Sequence, residues 1–287
     1  MSNIAVMPYA DYEAACNSVR AKTGKTSPIK SGELATEIDG ISVGGGDSDS
    51  KFASLVDGTI TEITAQDLAG ATRIADYAFY YRRTIKSATI PGNITSMGNY
   101  AFYYCTVLES VEIHDGVTTI GQNAFRGCSK LVSVTLPNDL LTINQYAFAD
   151  CSNLTSIEIP DSVMSIGNYA FSNCGSLTSI VIPDSVTSIG NSAFSSCSSL
   201  INIVIPDGVT SISTYTFNGC SGMQVLDFSK YTSVPTLSNK NAFNGVPSTC
   251  KVIIPDELYD SWIAATNWSA LTVTYVKKSE YVEEAEA

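Results

Sequence analysis

The dipeptide Ala-Phe returns every 23 residues, at Ala78-Phe79, Ala101-Phe102, Ala124-Phe125, Ala147-Phe148, Ala170-Phe171 and Ala193-Phe194, and then as Thr216-Phe217. A further step of 26 residues reaches Ala242-Phe243. Three residues after each Phe from Phe102 onward stands a cysteine: Cys105, Cys128, Cys151, Cys174, Cys197 and Cys220. Five residues before each Phe is an Ile or Met, and eight before it a small or branched residue, as with Ile166 and Val163 ahead of Phe171. A unit this short cannot bury its own apolar face, so a strict period of this length predicts a stacked solenoid in which each coil is covered by its neighbours.

A single unit shows how the period closes a coil. In Leu154-Thr155-Ser156-Ile157-Glu158-Ile159-Pro160 the apolar residues share a face, while Ser156 and Glu158 turn outward by strand alternation. Pro160 ends the strand because it has no N–H to donate, and Asp161 is expected to cap the turn that follows. Val163 to Ile166 makes a second side, Gly167 supplies a permissive corner, and Ala170-Phe171 sends a small residue and a ring inward. Coils stacked about 4.8 Å apart then place Phe79, Phe102, Phe125, Phe148, Phe171, Phe194 and Phe217 in one core column, with the six cysteines in another. Equivalent positions project their Cβ atoms in parallel, a poor geometry for a bridge, so the column cysteines are expected to be reduced packing thiols. Cys16 and Cys250 fall off the register and are expected to be unpaired.

The composition restricts what such a scaffold does. A net charge of −12 and a pI near 4.4 argue against nucleic acid, because phosphate recognition needs clustered Lys and Arg. No apolar run reaches about 18 residues, so no membrane insertion is expected. Met1 to Pro8 lacks a basic and then continuously apolar stretch, and no secretory signal is expected there. No cofactor or metal is expected, since the chain has one His and no Cys-x-x-Cys.

The organisation reads as four parts. Residues 1–41 form a small N-terminal helical attachment module, with Tyr12, Ala15, Cys16 and Val19 at helical spacing. Residues 42–50, with Gly44-Gly45-Gly46, form a flexible linker. Residues 51–276 are the β-rich solenoid of leucine-rich-repeat type, with a degenerate first coil over 55–79 and a C-terminal strand and helix cap. In that cap Leu258, Tyr259, Trp262 and Ile263 fit an amphipathic helix after the strand Lys251 to Ile254, Trp262 and Trp268 cover the open core, and Leu271 to Val276 adds a last strand. Residues 277–287 form an acidic disordered tail.

Catalytic patterns fail on inspection. Gly24-Lys25-Thr26 has Val19 where a phosphate-binding loop needs its first Gly. His114, the only histidine, stands where other repeats carry Pro and reads as an exposed turn residue, not a triad member. Glu112 and Glu158 are two coils apart, roughly 10 Å from the sheet spacing, on an open face with Thr135 between them. The chain is therefore not expected to be an enzyme. The residues best placed for recognition are the outward strand column, Thr89, Glu112, Thr135, Glu158, Val181 and Val204, whose bland alternative is a sheet surface kept soluble by Ser and Thr. Tyr80, Tyr81, Tyr103 and Tyr104 form a second candidate, able to stack on sugars if exposed, the alternative being burial against the N-terminal cap. Asp115, Asp161, Asp184 and Asp207 line up at the turns; Asx turns account for them, with a cation bridging neighbouring carboxylates as the alternative.

The pattern Leu-x-x-Ile-x-Ile-Pro-x-x-Val-x-x-Ile-Gly-x-x-Ala-Phe-x-x-Cys, complete from Leu177 to Cys197, resembles the BspA-like class of leucine-rich repeats. Val19 to Gly24, Pro28 to Lys30 and Glu33 to Ile38 are similar to leader modules of phage and prophage tail-associated proteins. Together the resemblances imply a non-enzymatic binding scaffold of a virion, made in the bacterial cytoplasm. Residues 1–41 would join the phage tail or another particle component, and the solenoid would recognise a host-surface glycan or protein, a homotrimer suiting a tail fibre. The alternative is a bacterial cell-surface adhesin of the BspA-like class.

Overall fold

The computed structural model describes residues 60–282, and over this span the chain winds as a parallel β-solenoid. Expectations for residues 1–41, the linker 42–50, Cys16 and positions 283–287 lie outside the described residues. Front strands Glu62–Ile63, Ser87–Ile90, Ser110–Ile113 and Ser133–Thr135 form one sheet. The strands Ser156–Glu158, Ser179–Val181, Asn202–Val204, Val225–Asp227, Lys251–Ile254 and Thr274–Lys277 form another. The register is that of the repeat: Ser110 faces Ser133, and Ile157 faces Ile180, each 23 residues on. A second side is built from two-residue strands such as Thr142–Ile143, Ser165–Ile166 and Ser188–Ile189, paired in the same register. Strands stay short because Pro160, Pro183 and Pro206 cut the ladder one coil after another. Alternation does the rest: Ile157, Ile180 and Ile203 are buried, while Ser156, Glu158, Ser179 and Val181 face solvent.

The third side carries the Ala-Phe pairs and is hydrogen bonded although it is not strand. Tyr146, Phe148 and Asp150 donate their N–H groups to the carbonyls of Asn168, Ala170 and Ser172 in the next coil, at 3.0, 2.8 and 2.8 Å. Bringing alternate N–H groups into that direction requires left-handed backbone at two residues per coil, Tyr146 (φ 56°) and Asp150 (φ 61°), repeated at Tyr169 and Asn173. These are the corners of the coil. Gly167, expected to be the permissive corner, has another reason to be glycine: a Cβ there would lie 2.7 Å from the backbone nitrogen of Gln145 in the preceding coil. Each left-handed Tyr, Asn or Ser costs on the order of 1–2 kcal/mol, which the coil-to-coil bonds offset.

Because the ladder fixes the coil spacing, the phenylalanines are carried into a continuous stack. Ring centroids of Phe125, Phe148, Phe171, Phe194 and Phe217 follow one another at 5.4, 5.6, 5.5 and 5.7 Å with planes within 6° of parallel. The stack continues to Phe79 through Phe102 at one end and to Phe243 at the other. Beside it the six column cysteines are buried and free, as expected. They do more than fill space: Cys128, Cys151 and Cys174 donate Sγ–H to the carbonyls of Phe102, Phe125 and Phe148 at 3.1, 3.2 and 3.2 Å. Burial holds every thiol of the column in its neutral form, pushing Cys105 and Cys220 up to about 12. Cys250 is also buried and free; its N–H meets the Pro247 carbonyl as the N–H of Leu200 meets that of Cys197, so it takes the leucine position of its coil.

The C-terminal end closes with aromatic cover. A 3-10 turn at Asp256–Leu258 leads into helix α1, Tyr259–Ala264. Trp262 and Trp268 are fully buried, 5.2 Å from each other and at 5.2 and 5.4 Å from Phe228, and Trp268 Nε1 donates to the Pro235 carbonyl at 2.8 Å. Ile263, expected on the apolar face of this helix, is instead 37% exposed. Strand Thr274–Lys277 pairs with Lys251–Ile254 at the 23-residue register, so the last strand is the front of one more coil. Order then runs past the expected boundary at 276: Lys278–Glu280 forms a 3-10 turn, and Ser279 donates its N–H and hydroxyl to the Asp256 carboxylate.

Two measurements test this core. Phe148→Ala opens a gap in the middle of the stack and is expected to cost about 3–5 kcal/mol in denaturant unfolding; a variant unfolding at the parent's midpoint would contradict the register. The thiols give a pH signature. Their folded pKa lies above the ordinary 9.0, so their contribution is fully present below pH 9 and is lost as the pH climbs toward 12. Stability is expected to fall above pH 9 by up to about 1.4 kcal/mol per pH unit for each thiol, and iodoacetamide at pH 8 should label these cysteines only after unfolding.

Candidate functional site

The front sheet places the outward column where the repeat puts it. Thr89 pairs with Glu112, Glu112 with Thr135, Glu158 with Val181, and Val204 with Asp227. Glu112, Thr135, Glu158, Val181 and Val204 are exposed, and Thr89 is half-buried. Val181 is 75% and Val204 45% exposed, and Ile201 at the start of the same face is 38% exposed. The column therefore changes character along the stack, from a carboxylate-bearing stretch around Glu112 and Glu158 to an apolar one at Val181 and Val204. Further on it is closed, since Ile253, the next outward position after Asp227, is buried. His114 sits at the rim with Nε2 at 3.2 Å from Glu112 Oε1, both side chains about half exposed, which fits an exposed turn residue.

The tyrosines form three stacked pairs, not an open aromatic patch. Tyr77 lies over Tyr100 at 4.9 Å, Tyr80 over Tyr103 at 5.1 Å and Tyr81 over Tyr104 at 5.3 Å, with planes 2 to 6° apart. Four of these positions have the left-handed backbone of the coil corners, Tyr77, Tyr81, Tyr100 and Tyr104, so the side chains project in register. On the C-terminal side Gly127 gives the Tyr104 ring its room, for a Cβ at Gly127 would lie 2.6 Å from that ring. The Arg126 guanidinium sits between columns, 5.9 Å from the Tyr103 ring and 4.8 Å from that of Tyr146, with Nε 3.1 Å from Asp150. Tyr103 is buried at 3% exposure, and Tyr80, Tyr81 and Tyr104 are half-buried. Sugar stacking needs free ring faces, and the pairing covers one face of each of these rings. Of the two readings open for this cluster, burial describes Tyr103, which packs between Tyr80 and Arg126, whereas Tyr80, Tyr81 and Tyr104 stay half-buried.

The turn carboxylates also differ from expectation. Asp115 accepts the N–H of Asn138 at 2.7 Å and its side-chain amide at 3.2 Å, in the next coil, and these bonds lower its pKa. Asp184 holds the Lys230 ammonium at 2.8 and 3.0 Å from two coils away. Asp227 alone among these turns shows a local Asx bond, to the N–H of Ser229. Asp115 and Asp184 thus act between coils, and only the first contact sits at the repeat spacing: Asn138 is Asp115 plus 23, whereas Lys230 is Asp184 plus 46. A further feature had no sequence signal beyond the irregular step of 26 to Phe243: a groove lined by Lys240, Asn241, Asn244 and Gly245 on one side and Leu271 and Thr272 on the other.

Residues 72–201 and 187–264 match the model of the BspA type leucine rich repeat region, in six copies. No curated protein matches the sequence. Among solved structures, the leucine rich repeat protein of T. pallidum is 27% identical, with a TM-score of 0.57 over 71% of this chain and 92% of that one. The pneumococcal vaccine antigen PcpA is 19% identical with a TM-score of 0.46, over 72% of this chain and 44% of its own. A leucine rich cell surface protein from Faecalibacterium prausnitzii is 22% identical with a TM-score of 0.24, over 71% of this chain and 86% of that one.

The two aromatic and strand surfaces separate in mutants. Tyr103→Ala is expected to destabilise the fold by about 3 kcal/mol, as a large buried ring does. Glu158→Arg combined with Val181→Arg should stay within about 1 kcal/mol of the parent, since both side chains point to water; thermal melts of the two variants decide.

Proposed function

The chain belongs to the BspA type leucine rich repeat family, and from that premise we propose that it is a non-enzymatic binding scaffold of a bacterial surface, an adhesin whose outward strand column engages a host-surface glycan or protein. The observation that carries the reading is the contrast within each front strand. Inward positions repeat a single chemistry, as in Ile157, Ile180 and Ile203, whereas the outward partners change from Thr89 and Glu112 to Val181 and Val204. A side chain that exists only to keep a sheet soluble has no reason to be valine at 75% exposure. Exposed apolar residues rimmed by Ser179, Asn202 and Glu158 make a surface on which desolvation supplies affinity and the polar rim supplies selectivity.

The virion reading rests on residues 19–38, which precede both the described residues and the family match beginning at residue 72. The surface reading rests on the repeats themselves, which make up most of the chain, and it takes precedence here. Antibody detection in the producing culture separates them: signal on intact cells supports the adhesin, and signal confined to released particles replaces it with the virion component. For the recognition face, Glu158→Arg with Val181→Arg is expected to reduce binding to host cells at least tenfold while the protein remains folded. Unchanged binding would move the site off the strand column.

A further inference from the structure

The last of the N–H groups that each Phe turn hands to the coil that follows forms a series of its own. The groups concerned are those of Tyr81, Tyr104, Gly127, Asp150, Asn173, Ser196 and Gly219, which donate to Tyr103, Arg126, Ala149, Ser172, Ser195, Asn218 and Asn244 at 2.6 to 2.8 Å. The series ends at Gly245. Its backbone is left-handed like that of its counterparts (φ 84°), yet the segment beyond it is not another Phe turn but the stretch after the 3-10 turn Trp268–Ala270. Between the two lies the groove, with a volume of about 230 Å³. The Gly245 N–H, aimed by the repeat at the next coil, meets no acceptor among the described residues.

The groove joins polar side chains to the apolar Phe243, Val246, Ala270 and Val273. Lys240, Asn241 and Asn244 come from the short 3-10 turn and its end, Thr272 faces them, and Leu271 adds an apolar wall. The lining contains an ammonium and no carboxylate, in a protein whose net charge is −12. A cation concentrated with amide and backbone donors in an acidic molecule selects an anionic group by charge-assisted hydrogen bonds. The cavity is below the range of about 300–1,000 Å³ typical of drug-sized ligands, so it fits one small ring. Asn241 and Asn244 offer acceptors as well as donors, which suits vicinal hydroxyls. A peptide C-terminus would instead call for a deeper apolar pocket beside the carboxylate contact.

We infer that this groove is a second binding site, for a carboxylate-bearing saccharide such as a hexuronate unit, with Lys240 and the Gly245 N–H on the carboxylate and Asn241, Asn244 and Thr272 on the hydroxyls. The site stands apart from the strand column and does not depend on it. Amide NMR of the full chain titrated with methyl glucuronide, and in parallel with neutral methyl glucoside, tests the assignment. The Gly245 amide is expected to shift with the glucuronide, and Lys240→Glu, at an exposed position, should weaken that response roughly tenfold. Asn244→Ala should weaken it to a smaller degree with the fold intact. Equal responses to the two glycosides, no shift of Gly245 at millimolar glucuronide, or a response only to an acetylated dipeptide with a free carboxylate would each overturn the proposal. The same titration of the Glu158→Arg, Val181→Arg chain should match that of the parent, which keeps the outcome separate from the fate of the strand column.

Discussion

The coil-to-coil hydrogen-bond ladder on the Phe side is the constraint from which the rest of the molecule follows. Two sides of each coil are ordinary parallel strands, and parallel pairing alone would tolerate considerable slippage in segments only two to four residues long. The third side removes that freedom. The bonds from Tyr146, Phe148 and Asp150 into the next coil require left-handed corners at set positions, and those corners fix where the ring and the thiol enter the core. The cysteine is explained by the same geometry. The Phe carbonyl one coil back points into an apolar interior, and a small side chain with a weak donor satisfies it without adding a strongly polar group. The nearly constant stacking distances of the phenylalanines are a product of this spacing and not its cause.

A core specified in this way leaves the outward positions free to vary, because no other residue depends on them. Glu112 and Val181 occupy equivalent places on the front sheet, and exchanging one chemistry for the other disturbs neither Val111 nor Ile180 behind them. This decoupling suits a recognition scaffold: binding properties can be rewritten along a row of coils while folding remains local and repetitive. The same logic makes the ends of the stack special. Wherever the period breaks, backbone groups that would bond to a neighbouring coil must find another partner, and at the C-terminal end two tryptophans cover the core while the groove beside Gly245 remains open to ligands.

The sequence reading succeeded where a property belongs to every coil and failed where it belongs to contacts between particular coils. The Phe and Cys columns, the Ile157 and Glu158 alternation and the burial of Trp262 and Trp268 were legible, because each is set by period, strand alternation or bulk. Gly167 was misread since glycine signals both a left-handed turn and a close approach, and only the neighbouring Gln145 nitrogen distinguishes them. The true corners carry Tyr and Ser as often as Asn, Asp or Gly, and Tyr and Ser announce nothing about φ. For Tyr103 the sequence leaves both readings open, because a run of tyrosines looks the same whether the rings face water or each other.

What the linear chain determined by itself was equivalence: which residues share a place around the axis, which of them point inward, and hence the solenoid and the outward column. That follows because a ladder of identical coils carries its period into space unchanged. What only the tertiary structure decided was availability, meaning which aromatic faces are already covered, which turn carboxylates are already bonded across coils, and which backbone donor lacks an acceptor where the stack ends. Such properties depend on the specific pair of coils that meet at a point, and the distance between atoms in those coils is not encoded by spacing along the chain.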